Sequence, residues 1–351
     1  MHPPSPRNPR AVPLVGRRRW HATLALTVAA ALHPGGGGAA AFSLRPPLEQ
    51  TRRRTLSPRA AADDPAVLAV AAGSATELPT APDPPRRRFA IHTPAGSFNL
   101  FGLYFGCLSV GLGAVWGVAL TACSLLYRLT GGRVDRARRI PVFCSHMWGT
   151  LLMLLTGSMP VVENREILTD FYKANGTAMF IANHNSWMDI PFLCSTIGWR
   201  NYKIVAKKEL LKVPILGSAV AIAGNVVVDR RDRRSQIQTL RSGIKWLNDG
   251  VHLCTFPEGT RSKTGRLNPF KRGAFKMAQS AEVPIIPLSI VGSAQVMPLG
   301  WMFPVVRSRA VPGRVVVHQP VSTTNKTESE IVAEVRESII SGLPEYQRPI
   351  P

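Results

Sequence analysis

The chain has 351 residues, 45% of them hydrophobic, and a formal net charge of +22. That apolar content supports one core of ordinary size plus accessory segments, and the charge favours phosphate-bearing or membrane-surface partners. Five scattered cysteines without CxxC spacing, and no HExxH or similar ligand spacing, exclude a disulfide framework and predict no metal.

No acidic residue precedes Glu49, whereas arginines stand at positions 7, 10, 17, 18, 19 and 45. Such a start is a targeting composition. Arg17, Arg18 and Arg19, an apolar run at 21–32 and small residues at 35–41 give residues 1–41 the three regions of a signal peptide. Residues 42–90, basic and rich in Ser and Pro, resemble the second part of the plastid leaders of algae with secondary plastids. An ordinary secretory leader with a disordered linker is the alternative. Neither segment has a periodic face to bury.

From Phe89 through Tyr127 there is no Asp, Glu, Lys or Arg. Residues 98–127 exceed the roughly 20 apolar residues that cross a bilayer. Gly106, Gly111, Gly113 and Gly117 offer small-residue faces, and Arg128, Arg133, Arg136, Arg138 and Arg139 follow as an interfacial anchor. Residues 142–159 are shorter, carry His146, and read as an interfacial or re-entrant helix. Residues 98–160 are therefore expected to anchor the protein in a lipid bilayer.

Strands then alternate with helices. Residues 178–182 form an apolar strand, and 187–193 the helix after it. Strand 202–206 leads to a short helix at 207–211, interrupted by Pro214. Strand 225–228 precedes a helix capped by Ser235, with Ile237, Leu240, Ile244 and Leu247 on one face and Gly250 as its stop. Strand 251–256, helix 274–280 and strands 283–290 and 315–317 follow. Thr327 and Glu330 make a capping box ahead of Ile331, Val335 and Ile339. This alternation implies an α/β sheet with helices on its faces.

Two stretches carry chemistry. His184 and Asp189 lie five residues apart, which on one helix sets them about 140° apart and out of contact. At a strand-to-helix turn they can meet, and the carboxylate then fixes the imidazole tautomer for taking a proton from a hydroxyl. Residues 256–262, Phe-Pro-Glu-Gly-Thr-Arg-Ser, sit at a strand's end. Gly259 allows a tight turn, and Arg261 presents a fork of donors suited to phosphate. Lys263, Arg266, Lys271, Arg272 and Lys276 follow. Ligands of α/β sheets bind at this end of the strands.

Residues from about 160 to 345 resemble the glycerolipid acyltransferases typified by 1-acyl-glycerol-3-phosphate acyltransferase. His184 with Asp189 is similar to that family's His-x4-Asp block. Lys207 to Leu210, with Pro214, Gly217 and Val228-Asp229-Arg230, resembles the second block, residues 256–262 the third, and 283–288 the fourth. The resemblance implies an α/β fold with a mixed sheet flanked by helices, preceded by N-terminal membrane helices. It implies that residues 161–345 are the catalytic domain. His184 is then the general base and Asp189 its support. Glu258, Gly259, Thr260 and Arg261 form the substrate-phosphate turn, with Lys207 and Arg230 as further phosphate-side residues. Val283, Pro284, Ile285, Ile286 and Pro287 line the acyl region. The implied reaction moves an acyl chain from acyl-carrier protein or coenzyme A thioester to lysophosphatidic acid, with no other cofactor. Another acceptor (glycerol 3-phosphate or a lysophospholipid) and a catalytically silent lipid-binding protein are the competing readings. No stacking-aromatic pattern accompanies the arginine runs, so no nucleic-acid partner is expected.

Overall fold

The computed structural model describes residues 90–94, 96–311 and 313–350. The expected leader therefore lies outside the described residues. A short antiparallel hairpin, β1 (Ile91–Thr93) and β2 (Gly96–Phe98), leads into α1 (Leu100–Leu129), capped by the Asn99 side chain on Gly102 N. At 30 residues, α1 is long enough to cross a membrane by length and composition. Its outer face carries Val118 and Leu129, 72% and 77% exposed. α2 (Arg139–Leu155) returns beside it, with Trp116 stacked on Trp148 at 4.7 Å. The α1 glycines do not all meet another helix. A side chain at Gly106 would collide with the Phe303 ring, and Gly111 faces open space.

The remaining elements build one seven-stranded sheet. In chain order they are β3 (Val161–Glu163), α3 (Arg165–Lys173), β4 (Met179–Ala182), α4 (Asp189–Ile197), β5 (Tyr202–Lys207), α5 (Leu216–Ile222), β6 (Val226–Val228), α6 (Arg233–Asn248), β7 (His252–Thr255), α7 (Gly273–Ser280), β8 (Ile285–Val291), α8 (Ser293–Val296), β9 (Arg314–Val317) and α9 (Glu328–Gly342). The strand order is β3-β9-β8-β4-β7-β5-β6, and every pairing is parallel except β8 with β9. The fold is thus α/β with a mixed sheet between helical layers. Five strands point the same way, so the loops after β4, β5, β6 and β7 emerge on one edge.

Each sheet face has its own core. Phe180, Ile286, Leu288 and Val317 pack with α1, α2 and α4 residues such as Phe105, Leu152 and Phe192. Met179, Ile181, Ile285 and Val291 pack with α6, α7 and α9 through Leu247, Phe275 and Val335. Alternate residues of β4 and β8 thus face opposite layers, as the two-residue strand period requires. A buried lysine, Lys203 on β5, ties the α1–α2 turn to the sheet. Its Nζ donates to Ala137 O (2.9 Å), Arg138 O (3.3 Å) and Asn201 Oδ1 (3.0 Å). Burial brings its pKa down to about 7.

Several local expectations shift. Asp232, not Ser235, caps α6, and the Ser235 hydroxyl instead accepts from Asp229 N at 2.9 Å. α4 starts at Asp189, two residues later than expected, and Lys207 ends β5 rather than opening a helix. The capping box of α9 forms as read from Thr327 and Glu330. Gly217 in α5 is held by close approach: a Cβ there would sit 2.3 Å from the Leu211 carbonyl oxygen. Gly217→Ala is expected to cost about 1–3 kcal/mol through forced backbone movement. A thermal melt unchanged from wild type would contradict that packing.

Candidate active site

The turn between β4 and α4 folds around one carboxylate. Asp189 Oδ2 accepts from Asn185 N (2.6 Å), Ser186 N (2.8 Å) and His184 Nδ1 (2.7 Å). Asp189 is fully buried in the first turn of α4, where the helix dipole favours a negative charge. A carboxylate on Nδ1 requires the proton there, which leaves Nε2 with a lone pair. Nε2 makes no protein hydrogen bond among the described residues. The His184 side chain remains 16% exposed. One face of its ring lies on Phe256, centroids 4.1 Å apart and planes 14° from parallel. Imidazole orientation is thus fixed in plane by Asp189 and out of plane by Phe256.

Two further side chains hold this turn to the sheet. Asn183 continues β4 by exchanging hydrogen bonds with Ile290 N (2.7 Å) and Ile290 O (2.9 Å). Ser186 donates to Met297 O at 2.8 Å, a structural role.

Glu258 shapes the turn that carries Arg261 from the inside. Its carboxylate points into the protein, accepting from His184 N (2.6 Å) and Asn268 N (3.0 Å). Ser262 N donates back to His184 O at 2.8 Å. The turn after β7 is therefore clipped to the histidine turn by both backbone and side chain. Burial raises the Glu258 pKa to about 7 from its ordinary 4.5. A raised carboxylate pKa means its stability contribution falls as pH climbs from about 4.5 to about 7, then levels. In the folded protein the carboxyl ionises only as pH passes about 7, and the ionised form accepts both N–H groups, so the clip tightens there. Activity of wild type is expected to gain a rising component near pH 7 that Glu258→Gln lacks. Superimposable pH–rate profiles would contradict the clip.

The basic residues separate into those that reach this edge and those that do not. Lys207 ends β5, Arg230 follows β6, and Arg261 and Lys271 lie on the β7 turn and the loop after it. The Lys207 pKa is lowered, first by loss of water around its ammonium and then by Arg230, with Arg261 and Lys271 also repelling it. Four cations therefore share one field. Gly259, at φ +74°, admits Lys271 across its α-carbon, where a Cβ would lie 3.0 Å from Nζ. Arg266 turns away to the Glu345 and Arg348 carbonyls, and Arg272 pairs with Glu328 at 3.7 Å. Thr260 is exposed. A cleft of about 560 Å³ beside this edge is bordered by Arg230, Arg233, Gly259, Lys271 and Lys276.

Apart from half-buried Pro284, the residues expected to line the acyl region are buried in the structure. Val283, Pro284, Ile285, Ile286 and Pro287 lead into and begin β8, an interior strand whose residues are packed into the two cores. None borders a described cavity, because both faces of β8 are covered by helices. The apolar cavity lies elsewhere, about 160 Å³ between α2, α4, α5 and β5, bordered by Trp187, Ile190, Pro191, Ile204, Ala206 and Leu210. Trp187 and Ile190 bring it within a few residues of His184.

No group of three or more His, Cys, Asp or Glu suited to a metal occurs among the described residues. Sequence places Asn183 and Phe256 in motifs without giving their roles and does not point to Asn268, because these roles depend on contacts across the sheet.

Comparison with known proteins gives the family. A family model described as Acyltransferase matches residues 160–291. The chain is 30% identical over 254 residues to a chloroplastic 1-acyl-sn-glycerol-3-phosphate acyltransferase of Brassica napus, covering 71% of this chain and 67% of that protein. It is 34% identical over 241 residues to the 1-acyl-sn-glycerol-3-phosphate acyltransferase of Saccharomyces cerevisiae, covering 67% and 74%. Among solved structures, the 1-acyl-sn-glycerophosphate acyltransferase of Thermotoga maritima matches 66% of this chain and 94% of its own, at 27% identity and a TM-score of 0.48. The relatives and the family model together show that this chain is an enzyme of the 1-acyl-sn-glycerol-3-phosphate acyltransferase family.

Proposed function

We propose that the protein transfers a fatty acyl chain from an acyl thioester to the sn-2 hydroxyl of lysophosphatidic acid, giving phosphatidic acid. The observation that carries this is a proton-accepting His184 Nε2 on the same sheet edge as four clustered cations. In this mechanism Nε2 takes the acceptor's hydroxyl proton as the oxygen attacks the thioester carbonyl. The adduct then collapses with cleavage of the C–S bond, and the departing thiolate takes the proton back from the imidazolium, which Asp189 stabilises in the meantime. A thioester is already activated, so the enzyme supplies a base and position; general-base catalysis gives about 10²–10⁴-fold. Arg261, Lys207, Arg230 and Lys271 hold the acceptor phosphate, and the apolar cavity beside Trp187 takes an acyl chain.

The exposed apolar faces of α1 and α2 support attachment of residues 98–160 to a bilayer, where such an acceptor resides. The leader composition and the chloroplastic relative favour a plastid membrane, and the yeast relative keeps the endoplasmic reticulum open. A plastid setting favours acyl-carrier protein as donor over coenzyme A. The test is acyl transfer by purified, leader-trimmed protein to lysophosphatidic acid, lysophosphatidylcholine and glycerol 3-phosphate. Selective formation of phosphatidic acid is expected. Preference for either other acceptor would overturn the substrate while retaining the base.

A further inference from the structure

At the far end of α4 from the active-site turn lies a second cleft, about 320 Å³, between α2, α3 and residues 195–200. Ser195, the first α4 residue to border it, lies about 9 Å along the helix from Asp189. Two arginines, Arg165 and Arg200, border it, and no acidic residue does. Arg200 lies over the Tyr172 ring at 4.5 Å, and Arg165 makes one long hydrogen bond, to Ser195 O at 3.4 Å. Neither has a carboxylate partner among the described residues.

Two carbonyls at this helix end already have other donors. Ile197 O accepts from Tyr172 (3.3 Å), and Cys194 O accepts from Gly198 N (3.0 Å). The bond from Arg165 to Ser195 O is the carbonyl contact that a ligand would have to displace. His146, only 6% exposed, also borders the cleft, and its Nδ1 has no hydrogen-bond partner. A buried, unpartnered imidazole nitrogen beside two cations without carboxylate partners is a polar site awaiting an acceptor-rich group.

The surroundings say which kind. Trp199, 57% exposed, meets His146 at 4.3 Å and Phe143 of α2 at 5.3 Å. On α2, Phe143, Leu151, Leu154 and Leu155 are also exposed, so the cleft opens beside an apolar helix face. An indole between apolar and charged surface is the pattern of a membrane interface, with arginines placed for headgroups. His146, Thr150 and Ser195 border both this cleft and the apolar cavity, so apolar walls adjoin the basic mouth.

We infer that this cleft is a non-catalytic site for the anionic headgroup of a membrane lipid, held by Arg165, Arg200 and His146 with Trp199 at the interface. The inference rests on the reading that α1 and α2 lie at the bilayer.

The test is vesicle binding by the full catalytic chain with α1 and α2 present. Phosphatidylcholine vesicles are compared with vesicles containing phosphatidic acid or phosphatidylglycerol. Arg165→Ala/Arg200→Ala is expected to lose about 10–30-fold in affinity for the anionic vesicles and to keep wild-type affinity for the neutral ones. Arg234→Ala/Arg241→Ala removes equal charge from α6 on the opposite sheet face and is expected to lose far less. Acyl transfer in detergent micelles is expected to be retained by the first pair, which reports its folding. Equal losses by the two pairs would reduce the effect to general surface charge and overturn the site. Saturation by inorganic phosphate alone, read by Trp199-dependent fluorescence, would assign the cleft to a soluble ion and overturn the lipid. Failure of wild type to bind any vesicle would overturn the bilayer reading itself. Normal neutral-vesicle binding with no anionic preference would overturn only this inference.

Discussion

His184→Ala is expected to lower kcat for acyl transfer by about 10²–10⁴-fold, the range of general-base catalysis, with little change in thermal stability. The side chain is anchored by one hydrogen bond and one ring contact, whereas the backbone of the same residue holds the two turns together through Glu258 and Ser262. Alanine keeps that backbone. Asp189→Asn is a different perturbation. Asparagine can still accept through its carbonyl, but Oδ2 serves three donors at once, and the amide nitrogen cannot stabilise an imidazolium. Loss of activity there is expected together with loss of stability, because two buried N–H groups of the turn depend on that oxygen. Wild-type kcat in His184→Ala would remove the histidine from the chemistry and revive the lipid-binding alternative.

Arg261→Ala is expected to act on the other half of the site. Losing one charged hydrogen-bonding partner of a phosphate costs about 1.5–3 kcal/mol, roughly 10–150-fold in kcat/KM. Most of that should appear in KM for the phosphorylated acceptor, with KM for the thioester unchanged. Arg261→Lys is expected to recover only part, since a point charge does not reproduce the guanidinium fork. Because Lys207, Arg230 and Lys271 share the field, alanine at any one of them should have a smaller effect than at Arg261, and pairs should be non-additive. A uniform rise in both KM values would place Arg261 outside acceptor binding.

How much of this was legible in the sequence depended on distance along the chain. The His184–Asp189 pair is a five-residue relation, and the strand and turn that bring it together are encoded in the same dozen residues. The capping box of α9 is equally local and forms as read. Glu258 was legible as part of a motif but not in its role, because its partners, His184 N and Asn268 N, are fixed only when β4 and β7 pair. The apolar run at 283–288 was read as substrate surface. Position β8 between β4 and β9, with helices on both faces, makes it core, and an apolar run looks the same in either setting. β3 and α3 went unread: β3 has only three residues, whereas the amphipathic period of α3 was there to be read.

The division of labour between a base and an anion clamp is tested most directly by the affinity of lysophosphatidic acid, measured without turnover and in the absence of thioester. Wild type and His184→Ala are expected to bind it equally, and Arg261→Ala to bind it at least tenfold more weakly. The reverse pattern, with His184→Ala impaired and Arg261→Ala normal, would contradict the assignment of both residues.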